Sequence, residues 1–318
     1  MNILFITSSR IGDAVLSTGL LDHIAREYPE AKVTIVCGPL AVSLFEGYPL
    51  LAELITLEKR KHNKHWISLW RMVIGRRWDI VVDLRNSAVS RLIWAGKRYI
   101  YGPRIDKSAH KAEQNAQVMK LDYTPLPRLF PSVAQMKTAR EMIPKGFVLG
   151  VGPASNWAAK TWPASRFIEI IKWMTDHNGV MPEAPVVVFA APGEEEIARK
   201  VLESIPEERR VDMIARVDPG TAAAALSLCD FYIGNDSGLM HCAAAAGIST
   251  LGLFGPSYPY LYRPYGEHCA YASTPESFDE LTAYEGYEPQ TAPCLMGSLD
   301  VADVKKKILN FKRSRKAA

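Results

Sequence analysis

The chain has 318 residues, of which 48% are hydrophobic and 23% are charged, so it is long enough for two globular domains of ordinary size. No stretch approaches the ~18 consecutive apolar residues that a spanning helix needs, and we expect "MNILFITSS" to be a first strand rather than a secretion signal. The five cysteines are scattered without zinc spacing, which predicts reduced thiols in the cytoplasm. Composition therefore excludes the membrane-embedded and disulfide-stabilised classes of protein.

Charge divides the chain into two unlike halves. Residues 1–150 hold 22 Lys or Arg against 13 Asp or Glu, and residues 151–318 hold 16 against 21. A basic half beside an acidic half suggests two domains with different partners. The basic half is suited to phosphates, to an anionic membrane surface or to nucleic acid, and solvated surface charge is the simpler alternative.

The first half alternates apolar runs with segments of helical spacing. "NILFIT" predicts a strand, and Leu16, Leu20, Ile24 and Tyr28 recur every fourth residue in a helix that Pro29 ends. We expect a short helix followed by a strand at "YPLLAELITLE". Further strands are expected at "KVTIVCG", "WDIVVDLR" and "RYIYGP". This alternation predicts a doubly wound parallel sheet.

A second alternating series follows the proline-rich stretch 123–132, which predicts a linker. Its expected strands are "GFVLGVG", "PVVVFAA", "VDMIAR", "FYIGN" and "ISTLGLFG", and its expected helices are "SRFIEIIKWMTDH", "EEEIARKVLESI", "TAAAALSLCD", "LMHCAAAAG" and "VADVKKKILNFKRSRKAA". The fold class is therefore α/β, with two Rossmann-like domains at 1–145 and 146–318 and a linker at about 123–146. The basic last helix is a candidate for packing back on the first domain. We expect a ligand between the carboxyl ends of the two sheets.

The segment "GNDSGLMHCAAAAGISTLGLFGPS" carries the strongest binding signal. A strand ends in the turn "DSG", and a helix is expected to begin near Ser237 and to stop at Gly247. Free N–H groups and the helix dipole attract phosphate at such a helix start, and Ser237 adds a hydroxyl. An ordinary capped helix is the simpler alternative.

Two other loops follow expected strands. In "VGPASNWAAKTWPASRF", Lys160 can reach a phosphate as a mobile charge, and Pro163 suits the first turn of the next helix. In "AAPGEEEIARK", Gly193 predicts a tight turn, and Glu194 can accept hydrogen bonds from ribose hydroxyls. A surface lysine and a glutamate that complements the helix dipole are the simpler alternatives. The spacings of dinucleotide, P-loop and zinc-protease motifs are missing.

Asp13 stands where the loop after the first strand turns into a helix, in "ITSSRIGDAVLSTGLL". A carboxylate at this place is suited either to capping the helix or to acting as a base at the mouth of a cleft. Considered without the rest of the sequence, Asp13 is better explained as a helix cap. A donor site in the second domain would shift the balance towards a base, and the same side chain could serve both roles.

The order of these motifs resembles the bacterial heptosyltransferases of lipopolysaccharide core synthesis, glycosyltransferase family 9. "GDAVLSTGLL", "AAKTWP" and "NDSGLMHCAAAAGISTLGLFGPS" follow one another along essentially the whole chain. The most specific stretch is D-S/T-G-x-x-H-x-A-A-x-x-G followed by L-F-G-P, found at 236–247 and 253–256. The late "CLMGSLDVADV" is similar to the family's cysteine-methionine segment.

The resemblance implies a GT-B fold, with an acceptor domain first and a nucleotide-sugar domain second, facing each other across a cleft. It implies inverting, metal-independent transfer of heptose from ADP-heptose, with Asp13 as the general base and Lys160 on the phosphates of the sugar donor. Asn156 departs from the Ser or Thr that is more usual in the family. The sugar-donor residues that it implies are Ser155, Asn156, Glu194, Val217 (against adenine), Asp236, Ser237, Gly238, Leu239 and His241.

The acceptor implied by the family is a lipid-anchored, phosphorylated sugar at the inner membrane. The candidates for binding it are Ser9, Arg10, Gly12, Arg104, Lys107 and His110, with Lys111 beside them. "EKRKHNKHW" and "IGRRW" mix basic residues with tryptophan, which suits peripheral contact with an anionic interface. Scattered surface charge is the alternative.

Two other classes of function stay open. A different GT-B enzyme, such as a sugar-nucleotide epimerase or a transferase with another sugar donor, would share these loops. A non-catalytic member would bind only a nucleotide or a partner. Binding of nucleic acid is disfavoured because recognition motifs for it are missing from the sequence.

Overall fold

The computed structural model describes residues 1–289 and 291–316, with side chains described up to residue 311 in the last helix. The chain forms two compact units, Met1–Gln135 and Met136–Ala318. The division falls within one helix, α4 (Val133–Met142).

The first unit is built on a five-stranded parallel sheet in the order β3-β2-β1-β4-β5. The strands are β1 (Asn2–Ile6), β2 (Lys32–Cys37), β3 (Leu51–Thr56), β4 (Trp78–Asp83) and β5 (Ala95–Ile100). The helices are α1 (Ile11–Glu27), α2 (Lys64–Val73) and α3 (Lys111–Met119), with short 3-10 turns at Pro39–Leu44, Lys61–Asn63 and Val89–Arg91. Strand β1 is almost wholly apolar because both faces of a parallel sheet are covered.

The second unit contains a six-stranded parallel sheet in the order β11-β10-β9-β6-β7-β8. The strands are β6 (Leu149–Gly152), β7 (Val186–Ala190), β8 (Arg210–Ile214), β9 (Phe231–Asn235), β10 (Ser249–Phe254) and β11 (Cys269–Ser273). The helices after α4 are α5 (Ala164–Thr175), α6 (Glu195–Glu203), α7 (Pro219–Leu226), α8 (Gly238–Ala245), α9 (Pro259–Tyr262), α10 (Phe278–Thr282) and α11 (Val301–Lys316). The 3-10 turns are Ala158–Lys160 and Glu207–Arg209.

Each sheet carries its own apolar core. On one face of the first sheet, Leu69 and Val73 of α2 pack on Leu4 and Val81 of the central strands, and all four are fully buried. In the second unit, Val304 and Ile308 of α11 join the core beside α5 and β11. Burial of these side chains is the main term that holds each sheet to its helices.

The alternation predicted from the sequence is confirmed in both units, since each sheet is parallel and doubly wound. Two local predictions are wrong. The short helix expected within "YPLLAELITLE" is missing, because the helical turn lies earlier, at Pro39–Leu44. Pro163 is the N-cap of α5 rather than part of its first turn, with an extended ψ of 134°.

None of the helices in the described residues is both long and apolar enough to cross a bilayer. The described residues also contain no cluster of three His, Cys, Asp or Glu side chains that could hold a metal ion. All five cysteines are free thiols.

Candidate functional site

The candidate site of the second unit lies where the sheet order reverses, at the carboxyl ends of β6 and β9. These two strands are neighbours, and the chain winds outward from them in opposite directions. Loops that follow such a strand pair diverge and leave a crevice, which is the usual ligand position in an open α/β sheet. Lys160 follows β6, and Asp236 and Ser237 follow β9.

Lys160 and Asp236 bridge this crevice directly. The Lys160 Nζ lies 3.3 Å from Asp236 Oδ2, and the two side chains are only 17% and 11% exposed. A backbone hydrogen bond from a distant segment stabilises the Lys160 turn, because the Leu295 N–H donates to the Ala159 carbonyl at 2.9 Å. The pair places a cation with little surrounding water at the switch point, where it acts strongly on a bound anion.

Asn235 ties the two loops together, and the sequence analysis missed it. Its side chain is fully buried, accepts a hydrogen bond from the Trp162 N–H at 3.0 Å and donates to the Pro153 carbonyl at 2.9 Å. A buried amide at the end of a strand, just before the "DSG" turn, was the available signal. Asn235 therefore fixes the loop after β6 against the end of β9.

Ser155 shapes the loop around Lys160. Its hydroxyl donates to the Trp157 carbonyl and hydrogen-bonds with the Thr161 hydroxyl, both at 2.9 Å. Asn156, next to it, is exposed. Both residues lie beside Lys160 in the same loop, so the structure brings these three predicted residues together.

Helix α8 begins at this crevice with uncommitted hydroxyl groups. Its N-cap, Ser237, has extended backbone but makes no side-chain cap. Within the described residues, the buried hydroxyls of Tyr232 and Ser237 have no hydrogen-bond partner except each other, and the buried Ser257 hydroxyl has none. Burial raises the pKa of Tyr232, so its phenol keeps its proton. Buried hydroxyls without partners are costly, and an anion at the helix start would give the Ser237 hydroxyl a partner.

The remaining predicted residues of this motif lie in the first turn of α8. Gly238 and Leu239 are half-buried, and His241 is buried at 4% exposure with its backbone N–H directed to the Ser237 carbonyl at 3.4 Å. They therefore surround the same helix start as Ser237.

Glu194 follows β7, the next strand along the sheet. Gly193 has φ of +92°, so the tight turn predicted there needs glycine. The Glu194 Oε2 accepts a hydrogen bond from the Ala191 N–H at 3.1 Å. Burial raises the pKa of Glu194 above its ordinary value, and the Ala191 hydrogen bond and the charge of Lys160 oppose that rise. Glu194 thus belongs to the same electrostatic environment as Lys160.

The family resemblance implies that Glu194 binds the ribose of ADP, and on that basis we expect the affinity for ADP to fall in mild acid. A ribose hydroxyl donates to an ionised carboxylate, and the raised pKa of Glu194 means that protonation begins at a higher pH than for an ordinary Glu. Affinity should therefore be full above that pKa and decline as the pH falls through it. ADP titrations of the wild type, Glu194→Gln and the control Glu195→Gln test this. Glu194→Gln should bind ADP more weakly than the wild type, and its affinity should no longer decline in mild acid. If its affinity fell with pH as much as that of the wild type, Glu194 would not be the ribose-binding residue.

Val217 is half-buried after β8, at the N-terminal side of α7. In sheet order, Val217, Glu194, Lys160 and Asp236 follow β8, β7, β6 and β9, which are adjacent strands. The carboxyl ends of these four strands span ~14 Å. An apolar side chain, a carboxylate, a cation and a helix start in this order suit the base, ribose and phosphates of a nucleoside diphosphate.

Asp13 lies at the corresponding point of the first unit. Helix α1 begins at Ile11 with Arg10 as its N-cap, and Asp13 is its third residue. The capping role considered for Asp13 is therefore wrong, although its charge in the first turn still complements the helix dipole. Its Oδ2 accepts a long hydrogen bond of 3.5 Å from the Ser8 hydroxyl.

Arg85 is a second residue that the sequence analysis missed. It follows β4, the neighbour of β1 at the reversal of the first sheet, and its Nη1 donates to Ser8 Oγ at 3.3 Å. A charged residue two positions after the buried strand "WDIVVD" was the available signal. Ser8 thus links Asp13 to a guanidinium group at the carboxyl ends of β1 and β4.

The candidate acceptor residues divide into two groups. Ser9 and Arg10 are exposed and Gly12 is half-buried, all beside Asp13. Arg104 and Lys107 are exposed in the loop after β5. His110 is different, because it is 2% exposed and its Nδ1 accepts from the Ala112 N–H at 3.1 Å as the cap of α3.

The chain is similar to known proteins over most of its length. The model of glycosyltransferase family 9 (heptosyltransferase) matches residues 107–282. Lipooligosaccharide heptosyltransferase 2 of Haemophilus influenzae is 22% identical over 302 residues, covering 83% of this chain and 86% of that protein.

Two solved structures share the fold of this chain. A glycosyl transferase family 9 protein of Veillonella parvula has a TM-score of 0.78 at 22% identity, covering 98% of this chain and 97% of its own. The ADP-heptose lipopolysaccharide heptosyltransferase II of Escherichia coli has a TM-score of 0.72 at 21% identity, covering 99% and 100%. The predicted GT-B class is confirmed.

Proposed function

Because the chain belongs to glycosyltransferase family 9, we propose that it transfers heptose from ADP-heptose to a sugar of the lipopolysaccharide inner core. The observation that carries this proposal is the Lys160–Asp236 pair beside the start of α8, in line with Glu194. The relatives named as heptosyltransferases support the choice of sugar, and the Escherichia coli protein named for ADP-heptose supports the nucleotide.

In the proposed complex, the sugar donor lies along the row at the carboxyl ends of the second sheet. Adenine packs on Val217, and the ribose hydroxyls donate to Glu194. The diphosphate meets Lys160, the Ser155–Asn156 loop and the N–H groups that begin α8. Asp236 holds Lys160 and lies next to the heptose.

The proposed reaction is a single displacement with inversion. An acceptor hydroxyl oxygen attacks the anomeric carbon, the bond from that carbon to the diphosphate oxygen breaks, and ADP leaves. Asp13 takes the proton of the hydroxyl. Lys160 and the α8 N–H groups stabilise the negative charge that develops on the leaving phosphate, so this proposal requires no metal ion.

We further propose that the acceptor is a lipid-anchored, phosphorylated sugar, bound by the first unit. Its exposed Arg10, Arg104 and Lys107 suit the anionic groups of such a sugar, and Ser9 and Gly12 flank the base. The protein would work in the cytoplasm, in peripheral contact with the inner face of the inner membrane, and without nucleic acid.

Thermal unfolding with a panel of ADP, UDP, GDP and ADP-heptose tests the sugar-donor assignment. Selective binding raises the midpoint, by an amount equivalent to ~2.7 kcal/mol when the ligand stands at 100 times its Kd. We expect ADP and ADP-heptose to stabilise the protein more than UDP or GDP. A larger rise of the unfolding midpoint with UDP would contradict the proposal. In an activity assay, conversion of the sugar donor without any acceptor would indicate an epimerase instead.

A further inference from the structure

One face of the first unit presents apolar and basic side chains together to solvent. We call it the α2 surface and define it by Lys64, Ile67, Arg71 and Ile74, on α2 and its C-cap, with Leu92 and Trp94 before β5. Its apolar members are 53%, 40%, 64% and 70% exposed for Ile67, Ile74, Leu92 and Trp94 respectively. Large apolar side chains grouped on a surface mark an interaction site rather than ordinary exposure.

The helical part of this surface follows from spacing. Lys64, Ile67, Arg71 and Ile74 recur every three or four residues, so they form one stripe along the helix. Leu69, on the inner side, is fully buried in the sheet core. The outer stripe therefore alternates basic and apolar side chains instead of being purely polar.

The second part, the Leu92–Trp94 segment, is held rigidly. Ile93, between the two exposed residues, is 4% exposed and anchors the segment in the core. The Arg98 guanidinium donates to the carbonyls of Ser90, Ile93 and Ala95 at 3.0, 2.7 and 3.0 Å. The Leu92 and Trp94 side chains thus project from a fixed backbone, so burying them on a partner costs little backbone entropy.

A hydrogen bond holds the Leu92–Trp94 segment next to α2, and a basic side chain lies over its tryptophan. Trp70 of α2 donates its indole N–H to the Leu92 carbonyl at 3.4 Å. The Arg77 guanidinium lies 5.9 Å from the centre of the Trp94 ring. An aromatic ring with a cation beside it is the combination that suits the boundary between acyl chains and headgroups.

Charge decides which partner fits this surface. Residues 58–78, which include α2, contain seven Lys or Arg and a single acidic residue, and of these seven Arg76 is paired with Glu53. We propose that the α2 surface docks on a lipid bilayer rich in anionic headgroups, with α2 lying along the interface and Leu92 and Trp94 inserted. Basic residues then attract the headgroups, and apolar residues supply the short-range binding.

The α2 surface shares Lys64 and Ile74 with the two segments expected from the sequence, but its exposed tryptophan is a different one. Trp78, in "IGRRW", is 2% exposed and belongs to the core, and Trp66 is half-buried against the same core. Trp94, which lies outside both of those segments, is the exposed tryptophan of this face. The α2 surface would bring the enzyme to a lipid-anchored acceptor. This role of the surface rests on the proposed function.

Flotation with vesicles tests the proposal without any substrate. We expect the full chain to float with vesicles of phosphatidylethanolamine and phosphatidylglycerol, and to bind more weakly at high salt or to phosphatidylcholine alone. Leu92→Ser/Trp94→Ser should lower partitioning by at least ~10-fold, since two exposed apolar side chains no longer insert. The emission of Trp94→Phe should lose the blue shift that the wild type shows on binding.

Tyr123→Ser/Leu126→Ser is a matched control, because these side chains are 49% and 54% exposed in the same unit but outside the α2 surface. It should bind vesicles as the wild type does. Equal binding of the Leu92/Trp94 variant would overturn the proposal, and so would a wild type that does not float at low salt. A change of oligomeric state in that variant, without lipid binding by the wild type, would assign the patch to a protein contact. Transfer to a delipidated acceptor should be unchanged by the variant, so failure of docking is distinguishable from failure of the proposed reaction.

Discussion

Asp13→Asn is expected to lower kcat for heptose transfer by ~10²–10⁴-fold while leaving the affinity for ADP unchanged, because the amide cannot take a proton from the acceptor hydroxyl. ADP affinity is spared because the residues proposed to bind ADP all belong to the second unit. The measurement is steady-state transfer from ADP-heptose to the lipid-anchored acceptor, beside an ADP titration of the same protein.

The free energy of unfolding distinguishes this loss of transfer activity from a folding defect. Asp13 is in the first turn of α1 and does not cap it, and the oxygen of an asparagine can still accept the long hydrogen bond from Ser8. The change therefore costs the dipole interaction, about 0.3–1 kcal/mol. Asp122→Asn, which changes an exposed aspartate of the same unit, is the matched control and should transfer normally. If Asp13→Asn transfers heptose at the wild-type rate, Asp13 is not the base.

The sequence predicted which loops meet at the carboxyl edge of the second sheet because the physics involved is local. Lys160, Glu194 and Ser237 each stand just after a buried apolar run, and parallel strands bring their carboxyl ends to one edge of the sheet. The position of each residue along the chain was therefore enough to place it at that edge. The detailed pairing of Lys160 with Asp236, 76 residues away, needed coordinates.

The residues that the sequence missed act through partners far along the chain. Asn235 joins Pro153 and Trp162, and Arg85 reaches Ser8 across 77 residues. Such contacts depend on which strands become neighbours, and local spacing does not specify this.

The exposure of a tryptophan side chain is also difficult to predict from the sequence. Trp78 and Trp94 both stand beside basic residues in the sequence, but one is 2% and the other 70% exposed. Trp78 is the first residue of β4 and faces the core beside Val73, whereas Trp94 lies just before β5 and projects outward. Composition alone cannot distinguish them, because the direction of the side chain is set by the strand's own register.

Lys160→Met is expected to lower kcat by ~10²–10³-fold and to weaken ADP binding, because it removes the cation that stabilises the leaving phosphate. The unfolding free energy should also fall, by roughly 1–3 kcal/mol, since Asp236 is left buried without its partner. Lys200→Met is the matched control, because Lys200 pairs with Glu196 at 2.7 Å where the side chains are 59% and 84% exposed. That exposed pair contributes little, so both activity and stability should be retained.

The double variant Lys160→Met/Asp236→Asn separates the two roles of Lys160. Neutralising Asp236 removes the unpaired buried charge, so the melting temperature should recover towards that of the wild type. Transfer should stay low, because no cation faces the leaving phosphate. If transfer recovered together with stability, Lys160 would serve only to neutralise Asp236, and charge stabilisation would fall to the N–H groups at the start of α8.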